Sequence, residues 1–153
     1  MYVYDNIYRS ITYFVAQLAP SGVAVVDGES YGVRLSDPSN QSPCIAVNIE
    51  EIQNSPIELG SIGANVHAVL TISALSRVQR DALKSVVYSG LLTCEVPVYT
   101  AFDGFVPASG AVVDRYLSLG DYFSLRDMPN FDTNRERFYW VSVVFITFDF
   151  LGI

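Results

Sequence analysis

The chain has 153 residues, of which 50% are hydrophobic and 16% are charged, and its net charge is −7. This length and this apolar share predict a single domain, residues 1–153, that folds around its own core. No apolar run approaches the roughly 18 residues that span a bilayer, and the first residues lack the pattern of a secretory signal. We therefore expect neither a membrane protein nor a secreted one.

The charged residues limit the kinds of partner that the chain could bind. The basic side chains are those of eight arginines and of Lys84, against 16 Asp and Glu. This acidic balance argues against a protein that binds the phosphates of nucleic acid. Because 10 tyrosines and 9 phenylalanines accompany the low charge, we expect another subunit to cover part of the apolar surface.

The N-terminal part is expected to form a helix and a hairpin. Apolar residues recur at helical spacing from Asp5 to Leu18, which predicts an amphipathic helix. Its buried stripe consists of Ile7, Ile11, Phe14, Val15 and Leu18. Two short β-prone runs, 23–26 and 31–35, flank Asp27-Gly28-Glu29-Ser30 and predict a β-hairpin.

Two further strands are expected before the middle of the chain. Residues 44–52 alternate in hydrophobicity, and Asn54-Ser55-Pro56 is expected to end that strand. We predict a turn at 61–63 and then a long strand over 64–75 that turns one face to the core. That face consists of Val66, Ala68, Leu70, Ile72 and Ala74.

A second helix is predicted to begin after Ser76. Ser76 and Gln79 have the spacing of a capping box, and Gly90 is expected to end the helix. Its apolar stripe consists of Val78, Ala82, Leu83, Val86 and Val87. Charged side chains occupy the other side, which is either a solvated face or a subunit contact. The candidate interface residues on it are Arg77, Arg80 and Lys84.

Exposed aromatic residues are expected in the next segment. Residues 95–100 are predicted to form a short strand, in which Pro97 indicates either a sheet edge or a gap in the hydrogen-bond ladder. The loop 101–110 carries aromatic rings that need to be covered, because exposed apolar surface is costly. This loop supplies three further candidate interface residues: Phe102, Phe105 and Val106.

The rest of the chain completes the predicted fold. Residues 103–134 are expected to form a loop-rich elaboration that contains two candidate strands, 112–119 and 122–125. The last strand, 135–150, is apolar on both faces, which predicts a position inside a sheet or between subunits. The order of elements predicts an α+β fold. We expect a mostly antiparallel sheet with both helices packed on one face, together with the β-hairpin and the long C-terminal strand.

The sequence offers few groups for catalysis. The one histidine, His67, lies in an alternating strand and has no second histidine as a partner. Cys44 and Cys94 lack the spacing of a zinc site, so we expect two buried thiols. Nucleophile-elbow, P-loop and dinucleotide-binding motifs do not occur in the sequence.

The carboxylates provide two weaker candidates. Glu50 and Glu51 are adjacent in a strand and point to opposite faces, so we do not expect them to share an acid–base role. Asp121, Asp127 and Asp132 offer oxygen ligands to a hard cation, but without the spacing of an EF-hand. We therefore expect no catalytic residue, no cofactor and no metal ion.

Three segments give the sequence a resemblance to a known family. They are Ile57-Glu-Leu-Gly-Ser61 with the strand up to Leu75, the helical run 76–88, and Val96-Pro-Val-Tyr-Thr-Ala-Phe-Asp-Gly-Phe105. With the N-terminal helix and the aromatic C-terminal strand, they resemble the tail-terminator and neck (tail-completion) proteins of tailed bacteriophages. The resemblance extends over most of residues 1–153.

The resemblance implies a structural subunit of the virion, assembled in the host cytoplasm. Proteins of that family are small α+β subunits that form a ring, usually a hexamer, which caps the tail tube and joins it to the head side of the neck. The implied partners are further copies of the chain, the tail tube protein and the head-side connector proteins. Genomic DNA would pass through the ring without specific binding, and an acidic lumen would repel its phosphates.

Other functions remain open at this point. The same resemblance includes adaptor or stopper proteins on the head side of the neck. A small-molecule or peptide-binding module would need an aromatic pocket near Tyr99 and Phe102. A cation-dependent hydrolase would have to use Asp121, Asp127 and Asp132.

Overall fold

The computed structural model describes residues 3–27, 43–58, 61–93, 95–128 and 140–152. These ranges contain two helices, α1 (Val3–Leu18) and α2 (Arg77–Thr93). The strands in them are β1 (Ala24–Asp27), β2 (Cys44–Glu58), β3 (Ser61–Ala74), β4 (Val96–Tyr99), β5 (Phe102–Asp103), β6 (Val106–Pro107), β7 (Val113–Asp127) and β8 (Trp140–Gly152).

Most of these strands belong to one sheet. Six strands form it in the order β1-β2-β3-β8-β7-β4, and β5 pairs with β6 in a separate small hairpin. Neighbouring strands run antiparallel except β1 and β2, which are parallel. The predicted α+β class, with two helices and a mostly antiparallel sheet, is confirmed for the described residues.

One face of β3 lies in the core, as its alternation predicts. Val66, Leu70 and Ile72 on that face are fully buried. The register pairs Leu70 with Val144 and Val66 with Phe148, so β8 adds its own buried side chains to the same face. Burying each such side chain stabilises the fold by about 1.5–3 kcal/mol.

The helix α1 covers this face with one stripe of side chains. Ile7, Ile11 and Val15 are spaced by four residues and are fully buried, which confirms the predicted amphipathic helix. Ser10, also buried, accepts a hydrogen bond through Oγ from the amide of Tyr99 at 3.1 Å. A helix side chain thus satisfies a backbone group at the end of β4.

The start of α2 follows the predicted capping box with one change. Ser76 Oγ accepts a hydrogen bond from the amide of Gln79 at 3.1 Å. The reciprocal bond comes from the amide of Leu75, which donates to Gln79 Oε1 at 2.9 Å, one residue before the expected donor. These side-chain oxygens satisfy two backbone donors at the start of the helix.

The buried side of α2 differs from the prediction. Val78 is 80% exposed and Ala82 is exposed, so neither packs on the sheet. Leu83 and Val87 are buried as predicted, and the other buried residues of the helix are Arg80, Gly90 and Leu91. One reason for this rotation is the close approach of α1, because a Cβ at Gly90 would lie 2.5 Å from Leu18 Cδ1. A second reason is that Arg80 has partners under the helix, described below.

The hairpin of β2 and β3 is longer than predicted. We expected β2 to stop at residues 54–56 and a turn at 61–63, and both expectations are wrong. The ladder continues through Asn54 with Ala64 and Pro56 with Ile62. Pro56 is tolerated because a register shift follows it between Pro56 and Glu58, where the ladder is irregular.

The region 103–128 is mostly sheet, whereas a loop-rich elaboration was expected. The two candidate strands are one strand, β7, of 15 residues. An irregularity separates its halves, because Leu119 pairs with Phe148 and Phe123 is the next residue to pair, with Ile146. Such a bulge bends the strand without ending it. Gly120, which lies between the two candidate strands, therefore marks a bulge and not a loop.

Some expectations lie outside the described residues. They are the strand at 31–35 of the predicted hairpin, residues 129–134 of the elaboration, residues 135–139 of the last strand, and Cys94. β1, the first strand of that hairpin, pairs in parallel with β2. Neither described helix is long and apolar enough to cross a membrane.

Candidate functional site

Arg80 joins α2 to the sheet. Its side chain is only 7% exposed, and its guanidinium carbon lies 5.4 Å from the centroid of the Trp140 ring. Arg80 Nη2 lies 3.3 Å from Asp127 Oδ2, and Nε lies 3.4 Å from Asp81 Oδ1. A guanidinium suits this position because its flat face stacks on the indole while its edge donates to carboxylates.

Asp127 is the carboxylate at the centre of this cluster. Lys84 Nζ donates to Asp127 Oδ1 at 2.8 Å, and the buried Ser142 hydroxyl donates to the same oxygen. The hydrogen bond from Lys84 and then that from Ser142 lower the pKa of Asp127, and the positive charges of Arg80 and Lys84 add to this effect. Asp127 is therefore ionised, and it links α2 to the ends of β7 and β8.

Two of the three predicted interface residues on α2 thus have intramolecular partners. The prediction that Arg80 lies on an outer, charged side of the helix is wrong, because it is buried beneath it. Lys84 is largely buried and bonds to Asp127. The third predicted residue, Arg77, is exposed, because 73% of its side chain is accessible to solvent. Its Nε lies 3.8 Å from Asp81 Oδ2, which is a weak ion pair.

The exposed side of α2 carries apolar and small side chains. We call its large apolar members, together with Leu75 just before the helix, the helix surface: Leu75, Val78, Tyr88 and Leu92. Between Val78 and Leu92 the helix exposes Ala82, Ser85 and Ser89, so a row of uncharged residues recurs at spacings of four and three. Sequence reasoning assigned the same apolar pattern to the core, because an exposed and a buried apolar stripe have one periodicity.

The predicted interface loop is a small hairpin that packs against α1. Phe105 contacts Tyr8 edge-to-face at 5.9 Å between ring centroids, and the guanidinium carbon of Arg9 lies 5.2 Å from the Phe105 centroid. Arg9 also donates to the carbonyl of Gly104 and forms an ion pair with Asp5 at 2.9 Å. Gly104 has a φ of +66°, which favours glycine at this turn.

Several side chains near this hairpin remain exposed. We call them the hairpin surface: Phe105, Val106 and Val112. Phe105 is 41% exposed, whereas Phe102 is half-buried and contacts Tyr99 at 6.1 Å. Of the predicted loop residues, Phe105 and Val106 therefore lie on a surface, and Phe102 lies mainly within the hairpin's own packing.

His67 and Cys44 lie on the sheet and are separate from these surfaces. His67 Nδ1 lies 3.5 Å from Thr147 Oγ1, and its Nε2 is buried without a hydrogen-bond partner among the described residues. Cys44 is buried in β2, as predicted. In the ladder, His67 pairs with Glu51 of β2.

The proposed set of aspartates does not converge. Asp121 and Asp127 lie six residues apart on β7, a separation of roughly 20 Å along a strand. Asp127 already bonds to Lys84 and Ser142, and Asp132 lies outside the described residues. No group of three His, Cys, Asp or Glu residues suited to a metal ion occurs in the described ranges.

No protein-family model matches the sequence, and no curated protein matches it either.

Proposed function

We propose that this chain is a structural subunit of a tailed-phage virion that forms a ring, most simply a hexamer, at the neck and caps the tail tube. The resemblance of residues 57–105 to tail-terminator and neck proteins supports this proposal. The α+β fold with its mostly antiparallel sheet agrees with the small subunits of that family. The chain acts by assembling, with no chemical step.

The observation that carries the proposal is the presence of two separate apolar surfaces. Val78 on the helix surface is 80% exposed, and Val112 on the hairpin surface is 63% exposed. The first lies on α2, and the second lies beside α1 and β4. A neck subunit needs two such surfaces, because it must contact copies of itself and also a different protein.

We assign the hairpin surface to the contact between copies. It lies at the β4 end of the sheet, and in a ring it would meet a different patch of the neighbouring copy. The helix surface then contacts the tail tube. In an adaptor or stopper, the alternative position in the neck, the same helix surface contacts a head-side connector protein instead.

The net charge agrees with a ring that surrounds DNA without holding it. With a net charge of −7 and a single lysine, the subunit offers few contacts to phosphates. Repulsion by an acidic lumen keeps the genome free to pass.

The two surfaces can be tested separately. Val112→Asp should prevent ring formation, as seen by mass photometry and negative-stain microscopy, because a charge placed in an apolar contact must lose its hydration. Val78→Asp should leave the ring intact and prevent its binding to tail tubes. Ser21→Asp, an exposed change in the turn after α1, is the control and should alter neither property.

The choice of partner separates the two neck positions. A tail terminator should cosediment with purified tail tubes, and an adaptor or stopper with DNA-filled heads that lack tails. Wild-type protein that stays monomeric at high concentration, both alone and with either partner, would overturn the proposal.

A further inference from the structure

β7 is longer than the strand that lies on its outer side. β4 pairs with β7 only from Val113 to Leu117, whereas β8 pairs with the other side of β7 as far as Asp127. Among the described strands, none lies on the outer side of β7 between Ser118 and Asp127. Within the described part of the chain, this stretch of β7 is an open edge of the sheet.

The hydrogen bonds to β8 show which backbone groups face this edge. The amide of Met128 donates to the carbonyl of Val141 at 2.9 Å. In an antiparallel ladder, alternate residues direct both backbone groups to the same neighbour. The N–H and C=O groups of Phe123, Leu125 and Asp127 therefore point away from β8 to the open edge. Such a row of donors and acceptors is a template for another strand.

We propose that this open edge of β7 receives β2 from the next copy of the chain, so that the sheets of neighbouring subunits join; the inference rests on the ring proposed above. β2 is near the opposite end of the same sheet. β1 pairs with it only from Cys44 to Val47. From Gln53 to Glu58, the only described strand that pairs with β2 is β3.

The strand directions allow this contact to repeat around a ring. β2, β3, β8 and β7 alternate in direction, so β2 runs antiparallel to β7 within one subunit. Rotation about an axis along the strands preserves their directions, and β2 of the next subunit is therefore also antiparallel to β7. The contact joins two different edges, which is the kind of interface that closes into a ring.

Opposite charges set the register of the pairing. Arg126 on β7 and Glu51 on β2 are both exposed and carry opposite charges. If Glu51 lies opposite Arg126 in an antiparallel pair, Ile52 lies opposite Leu125 and Asn54 lies opposite Phe123, so backbone groups that point to the two edges face each other. This register joins the part of β2 beyond β1 to the part of β7 beyond β4. Opposite charges are favoured at directly facing positions of a sheet.

The open edge is tested by removing one of its amides. Leu125→Pro deletes an N–H that points to the edge. It keeps every N–H of β7 that donates a hydrogen bond to β8. It should raise the concentration needed for ring formation by about tenfold or more. Leu125→Ala keeps that N–H and removes the same side chain, so it serves as the matched control and should assemble close to wild type. Circular dichroism and thermal unfolding check that both variants fold.

The partner strand is tested by exchanging charges. This test is independent of the Leu125→Pro variant. Glu51→Arg and Arg126→Glu should each weaken ring formation, and the double variant should restore it. Failure of the double variant to recover would overturn β2 as the partner, even if Leu125→Pro blocks assembly. Rings that form normally with Leu125→Pro would overturn the open edge as the contact and leave the proposed ring standing. Wild-type protein that forms no ring would instead count against the proposed function.

Discussion

The guanidinium carbon of Arg80 lies 5.4 Å from the centroid of the Trp140 ring, beneath α2 and at the first residue of β8. Arg80 is only 6% exposed, and Asp127 and Asp81 supply its carboxylate partners. Stacking and ion pairing together offset the cost of removing this charge from water. The contact therefore fixes the rotation of α2 on the sheet.

Arg80→Ala should destabilise the fold by about 2–4 kcal/mol, because it removes the stacked side chain and leaves Lys84 and Asp127 without their buried neighbour. Arg80→Lys should recover only part of this loss, since an ammonium group cannot stack and donate as a planar fork. Urea unfolding followed by fluorescence measures both, because Trp140 is the only tryptophan. Equal stability of Arg80→Ala and wild type would contradict this account of the cluster.

Asp127 should make stability depend on pH in the acid range. Its pKa is lowered first by Lys84 and then by Ser142, so the folded state binds the proton less tightly than the unfolded chain. The ionised group therefore adds stability above its ordinary pKa near 3.9, and this is lost as the pH falls through the lower folded value. Because the side chain is 46% exposed, the contribution is under about 1 kcal/mol.

Comparison with Asp127→Asn isolates this effect. The variant should be less stable than wild type at neutral pH, and the difference should shrink below about pH 4, where Asp127 begins to protonate in the unfolded chain. Urea unfolding at a series of pH values measures it. A difference that stays constant down to about pH 2 would mean that the charge of Asp127 does not contribute.

Gly120→Ala should destabilise the protein more than Gly90→Ala. A Cβ at Gly120 would lie 2.8 Å from the carbonyl oxygen of Thr147, which is backbone in the central ladder and cannot move easily. A Cβ at Gly90 would meet the end of the Leu18 side chain, which can rotate away, and alanine also favours the helix. We expect a loss of about 2 kcal/mol for Gly120→Ala and under about 1 kcal/mol for Gly90→Ala. If thermal unfolding shows a larger loss of stability for Gly90→Ala than for Gly120→Ala, the bulge geometry is contradicted.

Phe105→Ala should affect assembly more than folding. Phe105 contacts Tyr8 and Arg9 but stays 41% exposed, so its loss should cost the monomer about 1 kcal/mol. If the ring covers its exposed part, association should weaken by about tenfold or more. Leu18→Ala shortens a half-buried side chain at the other end of α1, where it meets Gly90, and is the control for stability alone. Assembly that falls only in proportion to the folded fraction would place Phe105 outside the interface.

The core strands and α1 could be predicted from the sequence because their pattern has one interpretation. Val66, Leu70 and Ile72 alternate with more polar residues, and only one face of such a strand suits a core. Ile7, Ile11 and Val15 likewise occupy one side of a helix whose other positions are more polar. In both cases burial follows directly from periodicity.

The orientation of α2 could not be predicted because it depends on residues far along the chain. Val78 and Val87 were both assigned to the buried stripe. Only Val87 is buried, because the contacts of Arg80 with Asp127 and Trp140 decide which side of α2 faces the sheet. A buried arginine has the same sequence pattern as an exposed one. Its partners lie some fifty residues later, and no local rule connects them.

Turn residues misled the prediction where strands were irregular. Pro56 and Gly120 both interrupt alternating runs, and each marks a bulge that the neighbouring strand bridges. Breaks and bulges share the same residue types, so the distinction needs the partner strand. The open edge of β7 among the described strands also could not be predicted from the sequence. Its position depends on where β4 ends.

The most direct test of the central claim is the mass of the purified protein in solution, measured together with electron microscopy of the same sample and of tail tubes incubated with it. A ring-forming neck subunit should give closed rings of several copies, most simply six, either free in solution or at the end of the tube. Protein that remains monomeric at high concentration, and tube ends that carry no ring of this chain, would contradict the account.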